Sequence, residues 1–467
     1  MQTFQNKTET KMKLSYYKRE YKSLLKLGIP ITIAQLGMVL QSMADTLMLG
    51  QHSASELAAA GFVNSLLMLA QLLSMGFCMA AVPIIGSLYG QQKTHEITVA
   101  LKSSLLADML QGLFVCSLMA GIYLLLPYMG LDGSLLPLMQ NYYIILLPSL
   151  LVMSGCTGMK SFMDSINDTR TTMWIVLVGN LWNIVFNYLL IFGKFGFSEM
   201  GIDGAAWATS TSRVLMLAIY IVNFAYNKRF AKYRAEWKNA KISLAEMKRQ
   251  NNIGWPIALQ IVVELAAFSG VTLLLGKGGV SWDATTALSS HQVTVQLASF
   301  IYMFYLGIGT AVSIRVSNHY GQNNWQSIKD SAYAGYHMIL AVGIISTSAV
   351  FMMRHHITSL FISDSDPEAL ARISATVVSM VLPLVFYQVG DGIQTCFVNA
   401  LRGIGDVKKL LKYSFIAYGV ISIPLSYTFG IAMDGGACGI WWGFPFGLSI
   451  AGYLYFKRFK KHIDKHL

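Results

Sequence analysis

Charged residues are scarce in this sequence. Asp, Glu, Lys and Arg make up 12% of its 467 residues, whereas hydrophobic residues make up 54%. Soluble globular domains carry about 25% charged residues, so this composition excludes that class. Because the apolar runs recur along the whole length, the sequence predicts a polytopic membrane protein with little mass outside the bilayer.

Motifs that define several other classes of protein are also missing. No GxxxxGK[ST] phosphate loop occurs, which argues against an ATP-driven pump. Neither an H-E-x-x-H motif nor a serine-nucleophile pattern is present, so we expect no enzymatic activity. The basic N-terminal stretch is not followed by a short apolar core and a small-residue cleavage site, so we expect no cleavable signal peptide.

Cysteine is sparse as well. The five cysteines are odd in number, widely spaced and set among apolar residues. We therefore expect reduced packing residues, and neither disulfides nor metal ligands.

The net charge is +12, and the basic residues lie mainly on one side of the predicted spans. Basic residues cluster before the first apolar run, from position 228 to 249, and from position 457 to 465. The opposite side of the predicted spans carries only Lys194, Lys277, Arg354 and Arg372. This asymmetry predicts a multi-pass protein of the cytoplasmic (inner) membrane with both termini and the central loop in the cytoplasm. We expect no nucleic-acid partner.

The second half of the chain repeats the first. Gly28-Ile29-Pro30-Ile31 matches Gly254-Trp255-Pro256-Ile257, and Tyr89-Gly90-Gln91 matches Tyr320-Gly321-Gln322 at a similar spacing. The sequence therefore predicts twelve transmembrane helices in two parallel six-helix bundles related by internal duplication. The predicted domains are 1–226, a cytoplasmic basic linker 227–251 in the form of an amphipathic helix, and 252–467. This architecture is typical of alternating-access transporters of small molecules. We expect a monomer in the lipid bilayer.

Two acidic residues interrupt apolar spans of the second half. Asp391 precedes Arg402 by eleven residues, which places it roughly 16 Å into the membrane at helical rise. Glu264 lies similarly deep, and Gln260 and Tyr387 stand one turn from Glu264 and Asp391 on the same faces. A carboxyl group at this depth requires a partner or a functional role. The alternative is a protonated acid that joins two helices by a hydrogen bond.

Polar residues also interrupt spans of the first half. Gln41 and Asp45 lie one turn apart in helix 1, and Asn180, Asn183 and Asn187 share one face of helix 5. Asparagine amides both donate and accept hydrogen bonds, which suits ligand binding and adhesion between helices equally well.

A substrate cavity in such a bundle requires polar side chains that face its interior. The candidates for this cavity are Gln41, Asn64, Gln260, His291 and Gln292. Among them, His291 is more typical of a buried, hydrogen-bonded residue than of a proton carrier.

Several motifs occur in a fixed order along the chain. They lie at 44–50, 183–188, 193–196, 256–264, 315–318, 387–391 and 401–403. In this combination the sequence resembles the multidrug and toxic-compound extrusion (MATE) transporters, and within them the NorM-type branch. The resemblance implies a secondary antiporter that exports amphipathic, cationic drugs or metabolites in exchange for Na⁺ or H⁺ by alternating access. It implies no other cofactor.

The resemblance also assigns a cation site to each bundle. The C-terminal site comprises Glu264, Tyr387 and Asp391, and the N-terminal site comprises Asp45, Asn183 and Asn187. Carboxylate and phenol oxygens suit Na⁺ or hold a proton, and a cationic substrate competes with either for the same negative charge. Since Pro30 is predicted at the start of helix 1, bending of that helix at a central proline is not supported.

Two other functions fit a twelve-helix protein. A flippase for a lipid-linked or amphiphilic precursor requires a basic cavity, whereas the intramembrane charges are mostly acidic, with Arg213 and Arg315 as exceptions. An unrelated sugar or metabolite carrier carries a Gly-x-x-x-Asp-Arg pattern, whereas this chain has Gly90-Gln91-Gln92-Lys93. The sequence leaves the substrate and the choice between Na⁺ and H⁺ open.

Overall fold

The apolar segments form long helices in a computed structural model that describes residues 2–130, 133–279, 282–361 and 367–467. Side chains are described from Tyr17 onward, except at position 360. All regular elements in these ranges are helical. The first half contains α1 Gln2–His52, α2 Ala54–Cys78, α3 Ala81–Gly90, α4 Thr94–Leu125, α5 Leu136–Ser165, α6 Thr169–Ile191 and α7 Gly201–Tyr226, followed by the short α8 Ala231–Glu236.

The second half begins with a helix that includes the end of the basic linker. Its elements are α9 Leu244–Gly276, α10 Ala284–Gly321, α11 Trp325–Met353, α12 Ile357–Phe361, α13 Pro367–Gly403, α14 Leu410–Ser414, α15 Ile423–Tyr427 and α16 Gly436–His466. Two π-helical segments, Phe415–Ser422 and Thr428–Ala432, follow α14 and α15.

Eleven helical segments in the described ranges are long and apolar enough to cross a membrane. The twelfth predicted span is α16, a helix of 31 residues whose Trp, Gly and Pro residues lower its mean hydropathy. Large apolar side chains on the surface, such as Leu124 and Ile345, are 69% and 71% exposed. Such exposure is expected where side chains face lipid. The predicted all-α membrane fold is confirmed.

Packing divides the chain into two compact units. The C-terminal unit comprises residues 1–32 and 260–467, and the N-terminal unit comprises 33–259. Each unit therefore contains the first part of a helix, α1 or α9, whose remainder belongs to the other unit. The sequence-based domains 1–226 and 252–467 follow the repeat and stay a prediction.

Pro30 lies near the middle of α1, which has 51 residues, so its predicted place at the helix start is wrong. This position therefore does not argue against a bend of the helix at a central proline. The helix begins at Gln2 because the basic segment before Pro30 contains neither glycine nor proline up to Gly28 and is rich in good helix formers. The prediction located the start of the apolar span and mistook it for the start of the helix.

Matched glycines allow the first parts of α1 and α9 to pack closely within their units. A Cβ added to Gly28 would lie 3.3 Å from the carbonyl oxygen of Gly307 in the C-terminal unit. A Cβ added to Gly254 would lie 2.8 Å from the carbonyl oxygen of Phe77 in the N-terminal unit. The two glycines belong to the repeated Gly-x-Pro-Ile motif, so the duplication extends to helix packing.

Backbone conformation repeats as well. Gln92 and Asn323 follow the matched Tyr-Gly-Gln motifs and have φ angles of 60° and 54°. Asn167 and Gly405 precede the matched aspartates after helices α5 and α13, with φ angles of 64° and 76°. Glycine and asparagine adopt this left-handed region at the lowest cost.

An ion pair occupies the same loop in each half. Asp168 contacts Arg229 at 2.9 Å in the N-terminal unit. In the C-terminal unit, Arg458 Nε donates to Asp406 at 2.6 Å, and His462 Nε2 lies 2.7 Å from the same carboxyl group. Each pair connects the loop after the fourth span of a half to the segment at or beyond the end of its sixth span.

Replacing Asp406 by Asn is expected to destabilise the C-terminal unit by about 1–2 kcal/mol at pH 7, because charge-assisted hydrogen bonds to a partly buried group are lost. Burial raises the pKa of Asp406, but the hydrogen bonds from Arg458 and His462 outweigh burial and lower it below its ordinary value. This stabilisation is complete above the unfolded pKa of about 4 and disappears as the pH falls through the lower folded pKa.

Thermal unfolding of the two proteins in detergent between pH 3 and pH 8 measures this effect. The midpoints should differ at pH 7 and converge at the acidic end. Equal midpoints at pH 7 would contradict the proposed contribution of this ion pair.

The basic linker 227–251 packs against the N-terminal unit and does not form one amphipathic helix as predicted. It contains a 3₁₀ turn, Lys228–Phe230, and one complete α-helix, α8, which has six residues. Phe230 and Tyr233 are buried in the core of this unit, and Lys102 on α4 donates to the carbonyl oxygen of Trp237. Aromatic burial and this bond at the end of α8 hold the linker in place.

Candidate functional site

A polar network surrounds Glu264 inside the C-terminal unit. Gln260 is fully buried one turn earlier on α9, and its Nε2 donates to Glu264 Oε1 at 2.9 Å. Gln394 on α13 donates from its own Nε2 to the same oxygen, also at 2.9 Å. Both bonds hold one carboxyl oxygen in place, and the contacts described for this side chain leave Oε2 available.

Two further side chains orient these glutamines. Arg402 Nη2 donates to Gln260 Oε1 at 2.9 Å, and the Tyr418 hydroxyl donates to Gln394 Oε1 at 2.8 Å. Because each amide oxygen accepts a bond, each amide nitrogen is directed towards Glu264. Arg402 lies in the last turn of α13, as the depth given for Asp391 assumes, but it is buried, with only 6% of the residue exposed.

Asp391 is buried near Glu264. It is 4% exposed, and its Oδ1 accepts a long 3.5 Å hydrogen bond from Thr395. Its Oδ2 has no hydrogen-bond partner among the described residues. The two carboxyl groups are close enough for their charges to interact. A buried carboxyl oxygen without a partner is costly, so this position suits a proton or a bound cation.

Tyr387 stands beside the two acids within an aromatic cluster. Its ring contacts Phe268, Trp441 and Phe444 at centroid distances of 6.3, 6.0 and 6.0 Å. These contacts fix the ring near the charges of Asp391 and Glu264. The structure thus brings together all three residues of the predicted C-terminal site.

No group of three His, Cys, Asp or Glu side chains among the described residues converges as a metal site. A cation here would depend on two carboxyl groups and neutral oxygens. Such a donor set holds a weakly bound monovalent cation or a proton, and does not suit a tightly held transition metal.

His291 is a neutral, fully bonded side chain in the C-terminal unit. The Trp441 indole N–H donates to Nδ1 at 3.1 Å, which requires Nδ1 to be an acceptor. Nε2 therefore carries the proton and donates at 3.1 Å to the Thr272 hydroxyl, which itself donates to the carbonyl oxygen of Phe268. Gln292 is exposed on the next position of α10.

The N-terminal unit contains a cavity of about 400 Å³. Gln41, Asp45 and Asn64 line it, so three predicted residues of this half share one cavity. Tyr142 also lines the cavity, and its hydroxyl donates to Asn64 Oδ1 at 3.3 Å. The remaining predicted cavity residues, Gln260, His291 and Gln292, belong to the C-terminal unit.

The asparagine stripe supports Asp45. Asn187 Nδ2 donates to Asp45 Oδ1 and lies 3.2 Å from Asn183 Oδ1. Asn183 in turn donates to the Thr209 hydroxyl at 3.1 Å. Both asparagines are fully buried, whereas Asp45 is half-buried at the cavity wall. Asn183 and Asn187 therefore position Asp45 and do not themselves line the cavity.

Two basic residues also line this cavity. Arg213 Nη1 donates to Ser149 Oγ at 2.7 Å. Lys160 forms an ion pair with the buried Asp164 at 2.9 Å. Sequence reasoning noted Arg213 only as an intramembrane exception, because its position on a cavity wall depends on the packing of α7 against α5.

Comparison with known proteins agrees with this fold. The model of the MatE family matches residues 30–189 and 256–428. The chain is 28% identical over 450 residues to multidrug resistance protein NorM of Vibrio cholerae serotype O1, covering 95% of each protein. It is also 28% identical over 447 residues to probable multidrug resistance protein NorM of Bacillus subtilis, covering 95% of this chain and 96% of that protein.

Two solved structures illustrate the likeness of fold. A multidrug resistance MATE family transporter of the MOP superfamily in an outward-facing conformation has a TM-score of 0.85 at 20% identity, covering 96% of each chain. The eukaryotic MATE transporter AtDTX14 has a TM-score of 0.83 at 20% identity, covering 97% of this chain and 99% of that one.

Proposed function

Because the chain belongs to the MatE family, we propose that it is a secondary antiporter. It exports amphipathic, cationic drugs or metabolites in exchange for Na⁺ or H⁺ by alternating access. The name multidrug resistance protein, given to its relatives, supports this class of cargo. The chain is a multi-pass membrane protein, and its charge asymmetry supports a place in the cytoplasmic membrane with both termini inside. The transporting unit in this proposal is a monomer.

The observation that carries the proposal is the unpartnered Oδ2 of Asp391 beside Glu264. Asp391 is buried, Glu264 is half-buried, and the charge of Arg402 interacts with Glu264. One positive charge does not balance two carboxylates, so the two are not both stable there as bare anions. A proton or Na⁺ bound between them removes most of that cost. The pair therefore binds a cation from the side of higher concentration and releases it when water reaches the site.

Exchange follows if the cation and the substrate compete. A ligand shifts a conformational equilibrium only by its difference in affinity for the two states. The cation bound at Glu264 and Asp391 favours one state of the transporter and the substrate favours the other, so each ligand lowers the affinity for the other. Binding of the cation then promotes release of the substrate, and binding of the substrate promotes release of the cation.

A flippase remains the second candidate, on the grounds that Arg213 and Lys160 line the N-terminal cavity. However, Asp164 neutralises Lys160 in an ion pair. Asp45 lines the same cavity as Arg213 and carries the opposite charge. One guanidinium opposite a carboxyl group is poorly matched to a pyrophosphate, so the antiporter is the better proposal.

Everted membrane vesicles test the antiporter directly. Their lumen corresponds to the outside of the cell, so Na⁺ or acid is placed in the lumen and ethidium is added outside. We expect ethidium uptake that follows one imposed gradient and is absent from vesicles without the protein. Uptake that ignores both gradients would reject the antiporter and favour the flippase.

A further inference from the structure

The N-terminal cavity contains two opposite charges that do not neutralise each other by contact. Asp45 and Arg213 both line it, and no ion pair joins them among the described residues. Asp45 accepts from Asn187, while Arg213 donates to Ser149 at 2.7 Å. Their charges are nevertheless close enough to interact. The cavity therefore presents a negative and a positive group to one ligand.

The other basic group on the wall does not change this balance. Lys160 Nζ contacts Asp164 Oδ2 at 2.9 Å, and the Asp164 side chain is only 3% exposed. Asp164 also accepts from the Thr172 hydroxyl at 2.8 Å, which fixes it beside the ammonium group. Among the described residues, the charged groups of the cavity that form no ion-pair contact are Asp45 and Arg213.

Arg213 retains the donors that a carboxylate requires. A guanidinium has five N–H donors in a rigid plane, and the described contacts of Arg213 use one of them, at Ser149. Arg213 is partly exposed, and it lines the open space of the cavity. A carboxylate is the group that matches such a planar fork in a bidentate manner.

The rest of the wall suits an aromatic, amphipathic ligand. Met38, Met68, Met153 and Met216 contribute flexible thioether side chains. The volume of about 400 Å³ falls in the range of about 300–1,000 Å³ that is usual for small-molecule sites.

We propose that Arg213 is the receptor for an anionic group, a carboxylate, on transported cations that carry one, so that the cavity binds zwitterionic amphiphiles more tightly than purely cationic ones. The cationic part of the ligand faces Asp45 and its carboxylate binds the guanidinium. This inference rests on the proposed function, since it names the substrate class of the same transporter.

A matched pair of dyes tests it. Rhodamine 110 carries a free carboxylate and a delocalised cation, and rhodamine 123 is its methyl ester and carries only the cation. Fluorescence anisotropy gives Kd for each dye with the purified full-length protein in detergent. The wild type should bind rhodamine 110 more tightly than the ester.

Arg213→Gln should raise the Kd of rhodamine 110 by roughly 10- to 150-fold, the range for hydrogen bonds to a charged group. The same change should lower the Kd of rhodamine 123, because a charge that repels the cation is removed. Ser149→Ala is the matched control. It removes the hydrogen bond of Arg213 to the protein but leaves the guanidinium in the cavity, so the ratio of the two Kd values should stay close to that of the wild type.

Equal shifts for both dyes in Arg213→Gln, or a Ser149→Ala protein that reproduces its effect, would make Arg213 a structural residue and overturn the proposal. A wild type that prefers the ester would also overturn it. Arg213→Met keeps the apolar stem and replaces the Gln variant if that variant does not fold. Because binding is measured without a gradient, failure of gradient-driven transport and failure of this inference are separate results.

Discussion

Glu264→Gln is expected to reduce the stimulation of ethidium uptake by a cation gradient by roughly 5- to 150-fold, which is the range of a typical coupling free energy. The substitution removes the negative charge of the half-buried Glu264 beside the buried Asp391 but retains the shape of the side chain. Without that charge, Asp391 has no second carboxyl group with which to share a proton or Na⁺, and the gradient loses its effect on the cycle.

The glutamine side chain of Glu264→Gln distinguishes a cation-binding role of Glu264 from a structural role. Glu264 Oε1 accepts bonds from Gln260 and Gln394 at 2.9 Å each, and the carbonyl oxygen of a glutamine side chain accepts both equally well. A purely structural Glu264 would therefore tolerate the change. A cation-binding Glu264 would not, since only the charge is lost.

Everted vesicles with matched amounts of protein measure this prediction, with the Na⁺ and proton gradients imposed separately. Glu96→Gln is the control, because Glu96 is 51% exposed at the start of α4, where it pairs with Lys93. The control should transport as the wild type does. Gradient-driven uptake that survives in Glu264→Gln would return this acid to a structural role.

The sequence predicted the helices and the acids of the site for one physical reason. Long apolar runs have few alternatives to a membrane-spanning helix, and an acid within such a run is conspicuous because it is costly. Asp391 and Glu264 were found in this way. Spacing alone also placed Gln260 beside Glu264, since residues four apart share a helix face.

The groups that complete the site depend on contacts that spacing does not reveal. Gln394 reaches Glu264 across 130 positions of the chain. Tyr418 reaches Gln394 from a π-helical segment, whose wider turn shifts the register that an α-helical pattern assumes. Arg402 ends α13, where a basic residue normally marks the membrane surface, so the sequence does not indicate that it is buried and donates to Gln260.

The start of α1 was predicted wrongly for a related reason. Hydropathy locates the apolar part of a helix, and the basic part before Pro30 has no apolar signal although its residues favour a helix. One residue of that part, Glu20, is only 2% exposed. Its burial depends on a partner 295 positions away, which no local pattern indicates.

Arg315→Met is expected to lower the stability of the C-terminal unit by about 3–5 kcal/mol, because it leaves a buried charge without its partner. Arg315 donates to both carboxyl oxygens of Glu20, from Nη2 at 2.8 Å and from Nε at 3.3 Å. Ser331 adds a bond at 2.8 Å, and His319 Nε2 lies 3.8 Å from Glu20 Oε1. Neither group replaces the two hydrogen bonds that the guanidinium donates.

The midpoint of thermal unfolding in detergent at pH 7 measures this loss of stability. Two further variants are compared with Arg315→Met. Glu20→Gln combined with Arg315→Met removes both charges, so it should be more stable than Arg315→Met alone. Arg372→Met is the matched control in the same unit, where the pair with Glu368 spans 3.8 Å and its side chains are 62% and 88% exposed. That change should cost less than about 1 kcal/mol. If Arg315→Met were as mild as Arg372→Met, the Glu20 carboxyl group would have to be protonated, hydrated or paired with His319. Its pair with Arg315 would then not be what holds the first part of α1 in the C-terminal unit.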